Sequence, residues 1–408
     1  MNDSEPSNDS ELSLGRTKLE PPDATRSKIL VKMRYPMLLR LLALVCVFDV
    51  LKVSRGETLK LDVHYRYVVK HGFGLFHTLV DENGQDVDVL VDTRSGLFFF
   101  AEKKWFEKAT GLFCLAAPLG CYECSKPCSV GKVSARASFD SDYSVSIFPH
   151  KSKLTIGKVS ESFTFGLIFD QKPPVTEVPP INVMGLGFDN GDEDFPSVMT
   201  QLRSSKAITT DIIALYLYPP TDPTGESIDG GLLLGGSDPA LYEGALKYVD
   251  LSTDEGYMVN IDKLQVGDGT IISGINTNVD LDSGANYLCV PKLYYNRLIK
   301  DIGAQTDKVA GKHVVFKFDQ EIKTWTFPCQ YMSKLPPLTF ALGPQGSTSF
   351  TMTSTNYAVS LEGTCYLLIM ENQRDDWSFH DRMLIDRYFE FDPTRKRVGL
   401  GKLKPRST

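Results

Sequence analysis

Residues 89–96 read VLVDTRSG, and this stretch decides how the rest of the chain is interpreted. Three aliphatic residues lead to Asp92, hydroxyl side chains follow at Thr93 and Ser95, and Arg94 stands between them. A short apolar run bounded by Asp, Ser and Gly is typical of a buried β-strand that ends in a turn. We therefore expect Asp92 at the carboxyl end of a strand, with the two hydroxyls in the turn beside it.

The same arrangement occurs a second time, in the other half of the chain. Residues 278–291 read NVDLDSGANYLCVP, so Asp282 and Ser283 repeat Asp92 and Thr93 at a distance of 190 positions. Self-similarity of this kind indicates two related structural halves, each with one carboxylate. A Pro- and Gly-rich stretch separates them, and we place an N-terminal lobe at 57–243 and a C-terminal lobe at 244–405.

The overall composition and patterning predict a mostly β protein. From residue 57 onward, short segments rich in β-branched and aromatic residues alternate with Gly, Pro, Asn and Asp. The best helix candidates are DFPSVMTQLRSS and KLYYNRLIKDIGA. A net charge of −7 gives no basic excess, so we expect no nucleic-acid partner.

The amino-terminal 56 residues differ in composition from the rest. Residues 1–32 are polar and rich in Ser, Asp, Glu and Pro, which predicts a disordered leader. Residues 33–56 combine basic residues with a short apolar run, as in a secretory signal peptide that starts at Met33 or in a signal-anchor; a buried helix is the alternative. We expect a secreted or endolysosomal protein, with membrane contact only through that segment.

Four cysteines lie close together within CLAAPLGCYECSKPC, namely Cys114, Cys121, Cys124 and Cys128. This spacing is compatible with a zinc site or with two local disulfides. No histidine lies nearby in the sequence, and a secretory signal implies an oxidising compartment, so we favour the disulfides. We expect neither a metal nor a cofactor.

Taken together, these motifs resemble those of the pepsin-like aspartic endopeptidases over residues 70–403. VMGLGF, GGLLLGGSDPALYEGALKYVDL and RYFEFDPTRKRVGLG accompany the two Asp motifs in the family's order. The resemblance implies a bilobal pepsin-like acid protease fold, with two related β-barrel-like lobes and a central cleft. It also implies a monomer, a peptide or protein substrate, and a disulfide between Cys329 and Cys365.

The resemblance assigns the chemistry to Asp92 and Asp282. Peptide hydrolysis without a metal needs a general base that activates water and a general acid that protonates the leaving amide. Two carboxylates that share one proton supply both functions. The sequence therefore predicts an aspartic endopeptidase with this pair as its catalytic residues.

Five further residues are assigned supporting roles by the same resemblance. Thr93 and Ser283 match the hydroxyls that brace the two loops against each other. Ser95 matches the hydroxyl that hydrogen-bonds the first Asp from outside, and Gly284 matches the supporting glycine of the second motif. Phe99 matches the aromatic residue that lines the primary substrate pocket.

Three departures near the two Asp residues put full activity in doubt. Arg94 replaces a family glycine, where a bulky cation would oppose the shared-proton state unless its side chain points into solvent. Ala285 replaces a hydroxyl residue beside Asp282. Asp280 adds a carboxylate where apolar residues are usual, although it could simply face water.

Two further departures lie elsewhere. Only PHKS separates FDSDYSVSIF from KLTIG, where the family has a flap hairpin with a Tyr-Gly-x-Gly tip that closes over substrate. His380 replaces a family glycine in WSFHDRML, and we interpret it as a loop residue. Two functions stay open: an endopeptidase with reduced or altered activity, and a catalytically inactive pseudoprotease that binds peptides or a protein partner.

Overall fold

A computed structural model describes residues 58–126, 128–139, 143–189, 191–221 and 226–406. The predicted leader (1–32) and the predicted signal segment (33–56) lie outside the described residues. Among the residues that are described, no helix has both the length and the apolar character needed to span a membrane.

The described chain is built mainly of strands, as predicted. The strands of the first half are β1 (Leu59–Val68), β2 (Gly72–Val80), β3 (Asp86–Asp92), β4 (Phe98–Ala101), β5 (Ala135–Ser138), β6 (Ser144–Ile156), β7 (Val159–Lys172), β8 (Val183–Gly185), β9 (Ile213–Leu217) and β10 (Ser227–Leu234). Those of the second half are β11 (Tyr242–Asp250), β12 (Met258–Val266), β13 (Ile272–Leu281), β14 (Leu288–Pro291), β15 (Lys317–Asp319), β16 (Thr324–Phe327), β17 (Leu338–Leu342), β18 (Thr348–Met352), β19 (Ala358–Leu361), β20 (Thr364–Leu367), β21 (Ile369–Asn372), β22 (Trp377–Phe379), β23 (Arg387–Asp392) and β24 (Arg397–Leu403).

Helices are few and short in the described residues. They are α1 (Lys103–Thr110), α2 (Val198–Ser204), α3 (Lys292–Ala310) and α4 (Ser354–Tyr357). Both predicted helices are present, but α3 runs on past Ala304, where the predicted segment ends. It continues because Leu298, Ile302 and Thr306 lie one turn apart on one buried face, which extends the core-facing stripe.

The described strands form three sheets of 13, 7 and 4 strands. The largest sheet contains strands from both halves of the chain, because β9 pairs antiparallel with β23. Within this sheet β1 lies between β10 and β2 and pairs with both. The predicted lobe boundary at 243/244 falls inside β11 and stays a prediction.

Alternating burial explains how β1 fits this position. Leu59, Leu61, Val63 and Tyr65 are buried, whereas the residues between them are exposed. Successive side chains of a strand point to opposite faces, so one face of β1 enters the core and the other faces water. The period-2 pattern in the sequence therefore specifies both the strand and its orientation.

The two lobes share one local arrangement, which confirms the pepsin-like bilobal fold. In the first lobe β3 runs parallel to β8, and β8 pairs antiparallel with β4. In the second lobe β13 runs parallel to β22, and β22 pairs antiparallel with β14. Each Asp motif therefore leaves the sheet at the end of a strand that is held by a parallel neighbour.

Three disulfides are present: Cys114–Cys121, Cys124–Cys128 and Cys329–Cys365. The last is the predicted pair, and the first two are the predicted local disulfides, whose pairing the sequence left open. The fold also brings His150 of β6 close to the second of them, with Nδ1 3.6 Å from Cys128 Sγ. Cys124, Cys128 and His150 form the one cluster of potential metal ligands found in the described part of the chain. The thiols are used in the disulfide, so the zinc alternative does not describe this state of the protein.

Candidate active site

The two Asp residues lie at equivalent strand ends, and both contact Gly284. Asp92 is the last residue of β3, and Asp282 directly follows β13. Both are buried, with exposed fractions of 5% and 6%. Gly284 touches both: its amide donates to Asp282 Oδ1 at 2.8 Å, and a Cβ on it would lie only 2.7 Å from Asp92 Cγ. Only glycine allows this approach.

Thr93 and Ser283 brace the two loops through four reciprocal hydrogen bonds. The Thr93 hydroxyl donates to the carbonyl of Leu281 at 2.7 Å and accepts the Ser283 amide at 2.9 Å. The Ser283 hydroxyl donates to the carbonyl of Val91 at 2.7 Å and accepts the Thr93 amide at 3.0 Å. Both side chains are fully buried, so every one of these bonds is shielded from water.

Backbone amides of its own loop hold the Asp92 carboxylate. Its Oδ1 accepts the amides of Arg94 at 2.8 Å and of Ser95 at 3.0 Å. The Ser95 hydroxyl instead accepts the amide of Leu97 at 3.1 Å. Ser95 thus contacts Asp92 through its amide, whereas the resemblance assigns that contact to its hydroxyl.

The Arg94 side chain turns toward the second loop rather than into open solvent. Its Nε lies 3.2 Å from Asp280 Oδ2, and its Nη1 lies 3.7 Å from Asp282 Oδ2. Asp280 is buried, with only 4% exposed, so it does not simply face water. The two unusual residues near the dyad therefore form an ion pair with each other.

This pairing is the feature of the site that the sequence interpretation missed. Arg94 lies two places after Asp92, and Asp280 lies two places before Asp282. Opposite charges at mirrored positions of a duplicated motif were a usable signal, because the duplication implies that the two loops face each other. The contact itself depends on side-chain directions that the spacing does not specify.

Burial and neighbouring charges separate the two carboxyl groups. Burial raises the pKa of Asp92, while amide hydrogen bonds and the Arg94 guanidinium oppose the rise. Burial raises the pKa of Asp282 well above its ordinary value, and the negative charges of Asp92 and Asp280 add to the rise against Arg94. Asp282 is thus the member of the pair that favours the protonated form.

The residues behind the two loops differ between the lobes. A Cβ on Gly185 would overlap the carbonyls of Ser95 and Leu97, so only glycine fits at this last residue of β8. His380 stands at the corresponding place in the second lobe, fully buried before a short 3-10 turn, with Nδ1 3.4 Å from Asp381 Oδ1. Burial raises the pKa of Asp381.

Phe99 lies in the interior rather than on a surface. It is fully buried in β4, with its ring centroid 6.3 Å from that of Phe139. Its predicted role in a substrate pocket therefore requires that neighbouring side chains move.

Ala285 follows Gly284 in the second Asp loop. Its carbonyl accepts the Asp381 amide at 3.4 Å, which connects this loop to the turn after β22.

β6 takes part in two hairpins. Its first residues pair antiparallel with β5, from the Ala135–Ile147 pair to the Ser138–Ser144 pair, and the strand as a whole, Ser144–Ile156, pairs with β7. PHKS lies within β6, and no further hairpin interrupts residues 143–172, all of which are described. The predicted absence of a flap stays a prediction, because the β5–β6 hairpin overlaps FDSDYSVSIF.

The β1–β2 turn reaches the second Asp loop, a contact that the sequence interpretation did not foresee. Asn286 Nδ2 donates to the carbonyl of His71 at 2.5 Å. His71 Nε2 lies 2.6 Å from the carbonyl of Pro179, and Lys70 Nζ donates to the carbonyl of Glu177 at 2.5 Å. The turn therefore links the loop after Asp282 to the segment that precedes β8.

Comparison with known proteins places these features in a family. The sequence profile described as eukaryotic aspartyl protease matches residues 78–403. Pepsin A of Gallus gallus is 26% identical over 228 residues, which are 54% of this chain and 55% of that protein. Cathepsin D of Chionodraco hamatus is 27% identical over 218 residues, 51% of this chain and 50% of that protein.

A third relative gives a longer match at lower identity. Renin of Ovis aries is 24% identical over 269 residues, which are 62% of this chain and 61% of that protein. The chain therefore spans from half to about three fifths of the length of these curated relatives.

Proposed function

The chain belongs to the eukaryotic aspartyl protease family, and on this premise we propose that it is an aspartic endopeptidase in which Asp92 and Asp282 activate water. The observation that carries the proposal is the shared contact with Gly284, because one small residue between two buried carboxylates leaves them close enough to act on the same molecule. The brace between Thr93 and Ser283 fixes that geometry.

The order of the two pKa values supports a division of roles. Asp282 keeps the shared proton because its pKa is raised further. Asp92 is then ionised and accepts a proton from the water that attacks the peptide carbonyl, while Asp282 protonates the carbonyl oxygen. In the second half of the reaction, the proton held by Asp92 passes to the amide nitrogen as the C–N bond breaks. Asp282 takes back a proton from one of the two hydroxyls on the former carbonyl carbon, which leaves a carboxylic acid and restores the dyad.

Arg94 modifies this scheme instead of abolishing it. Its guanidinium is shared between Asp280 and Asp282, so only part of its charge acts on the dyad. A cation near Asp282 lowers the pKa of that carboxyl, and therefore lowers the upper limit of the pH range in which the pair holds one proton. We infer an endopeptidase that loses activity as pH rises. This loss begins at a lower pH than it would with glycine at position 94.

Hydrolysis of an unfolded protein tests the proposal. Purified protein is assayed between about pH 3 and pH 6, the range in which a carboxyl dyad with a raised pKa titrates. We expect cleavage that a statine-type transition-state mimic blocks. Absence of cleavage by the wild-type protein at every pH would contradict the proposal.

A second candidate function is a pseudoprotease that binds peptides or a protein partner without cutting them. One observation favours it, namely the Arg94 guanidinium, whose Nη1 lies 3.7 Å from Asp282 Oδ2. The Arg94→Gly variant separates the candidates. If the wild type is inert and binds the statine-type mimic, while Arg94→Gly hydrolyses the same substrate, the wild-type function is binding.

The location of the protein is part of the same proposal. Three disulfides fit an oxidising compartment, which agrees with a secreted or endolysosomal enzyme. A peptide or protein substrate follows from the proposed activity.

A further inference from the structure

One loop of the first lobe exposes large apolar side chains to an unusual degree. We name residues 111–116 the apolar loop; it contains Leu112, Phe113 and Leu115, whose exposed fractions are 55%, 83% and 97%. Nowhere else in the described chain do three large hydrophobic residues within four positions reach such exposure. Contiguous exposed apolar surface marks a site of interaction with a protein or a membrane.

Hydrogen bonds and a disulfide fix the apolar loop in this form. The Cys114–Cys121 disulfide closes it, and the Cys114 amide donates to Glu107 Oε1 at 3.2 Å. The Gly111 amide donates to the carbonyl of Glu107 at 2.9 Å, and the Ala116 amide donates to that of Phe113 at 2.9 Å. These bonds hold the backbone, so the apolar side chains cannot withdraw into the core.

The surroundings of the apolar loop are basic although the whole chain is acidic. Residues 103–136 contain six Lys or Arg and two Asp or Glu, a net charge of +4 in a chain of net charge −7. Lys104 and Lys108 are exposed one turn apart on α1, which leads directly into the loop. Glu107 is tied to the loop backbone, and Glu123 forms an ion pair with Lys103 at 2.8 Å.

We propose that the apolar loop inserts into the interface of an anionic lipid membrane, with Lys104 and Lys108 at the level of the headgroups. Projecting apolar side chains next to lysines are the combination that binds such an interface, because apolar burial and attraction to anionic lipid add. Phe113 and Leu115 project almost completely, which suits insertion between lipid chains better than packing against a rigid protein surface. The proposal is independent of catalysis.

Vesicle sedimentation tests the proposal. Full-length protein is mixed with vesicles of phosphatidylcholine alone or of phosphatidylcholine with phosphatidylserine. We expect binding to the anionic vesicles that weakens as salt is raised, since the charge contribution is screened. The double variant Phe113→Ser/Leu115→Asp should lower the affinity by about tenfold or more, because two large apolar side chains lose their burial in lipid.

Two further variants test whether vesicle binding is specific to the apolar loop and to the lysines beside it. Leu293→Asp changes a leucine that is 78% exposed on α3, and it should leave vesicle binding unchanged. Lys104→Glu/Lys108→Glu should abolish the preference for phosphatidylserine. Thermal unfolding checks that each variant is folded, which is expected because all these side chains are exposed.

Three outcomes would overturn the proposal. These are equal binding of the wild type to both kinds of vesicle, an equal loss with Leu293→Asp, and no vesicle binding at all. Self-association of the wild type that Leu115→Asp suppresses, without vesicle binding, would assign the apolar loop to a contact between protein chains instead.

Discussion

The two Asp loops have the same backbone scheme but different electrostatic surroundings. Asp92 accepts two amides of its own loop and lies against Gly284. Asp282 accepts one amide and has the Arg94 guanidinium 3.7 Å away. The duplicated motif therefore fixes where the carboxylates lie, whereas single residues beside them decide how readily each one binds a proton.

The first lobe is also less tolerant than the second at the residue behind each loop. Gly185 cannot be replaced without a clash with the backbone of the Asp92 loop. The second lobe holds a fully buried histidine at the corresponding position. The two lobes therefore differ at this position in side-chain volume, while backbone hydrogen bonds hold the Asp282 loop, from the Asp282 amide to the Phe379 carbonyl and from the Asp381 amide to the Ala285 carbonyl.

The largest expected effect concerns the two carboxylates, which should be equally necessary for catalysis. We expect Asp92→Asn and Asp282→Asn each to lower kcat/KM by about 10³-fold or more, because an amide can neither accept the proton from water nor hold the shared one. Initial rates on an unfolded protein measure this. Asp268→Asn, an exposed acid outside the site, is the matched control. Retained activity in either dyad variant would remove that residue from the catalytic pair.

Mutation of either residue of the brace between Thr93 and Ser283 should destabilise the protein by a similar amount. Thr93→Val and Ser283→Ala each remove one donor and one acceptor from fully buried hydrogen bonds, so each should lower the free energy of unfolding by about 2–4 kcal/mol. Denaturant titration gives the two values. A large loss for one variant and none for the other would show that a single loop carries the brace.

The Arg94–Asp280 pair should shift the pH dependence of activity in opposite directions. Asp280→Asn removes a negative charge near Asp282 and leaves Arg94 to act on the dyad, so the pKa of Asp282 falls and activity declines at lower pH. Arg94→Met removes the cation at similar size, so the pKa of Asp282 rises and activity extends to higher pH. The upper limb of the pH profile of kcat/KM measures both. A profile that neither variant moves would separate the ion pair from the dyad.

The smallest expected effect is on the free energy of unfolding, which should differ between the two Asn variants. A carboxyl whose folded pKa is raised stabilises the fold fully below its ordinary pKa, and this contribution is lost as pH rises through the folded value. Asp282→Asn avoids that loss, so it should stabilise the protein at pH 7 by about 1 kcal/mol relative to wild type, with less gain in acid. The gain should be smaller for Asp92→Asn, since the pKa of Asp282 is raised further. Thermal unfolding at both pH values measures this difference, and equal gains would mean that the loops are electrostatically alike.

Structural features that depend on neighbouring residues in the sequence were predictable. Contacts between residues that are distant in the sequence were not. The strand-end position of Asp92 and the presence of two disulfides among the four neighbouring cysteines follow from patterns within a few residues, but the pairing of those cysteines does not. The approach of His150 to Cys128 and of Arg94 to Asp280 depends on how distant strands lie in a sheet and on side-chain direction. Neither property is encoded in residue spacing.

The full burial of Phe99 illustrates the same limit. Its place in the motif was readable from the sequence, but its exposure depends on the neighbours that β6 and β7 bring to it. The motif position of a residue therefore does not by itself determine whether its side chain is exposed.

The central position of β1 limits how far the polypeptide can be trimmed. This strand is hydrogen-bonded on both sides, to β10 and to β2, and Leu59, Leu61, Val63 and Tyr65 on one face of it are buried. A cleavage that keeps the fold intact must therefore lie before Leu59. Any cut beyond that point would split the largest sheet and leave two unpaired edges, which are a ready template for aggregation.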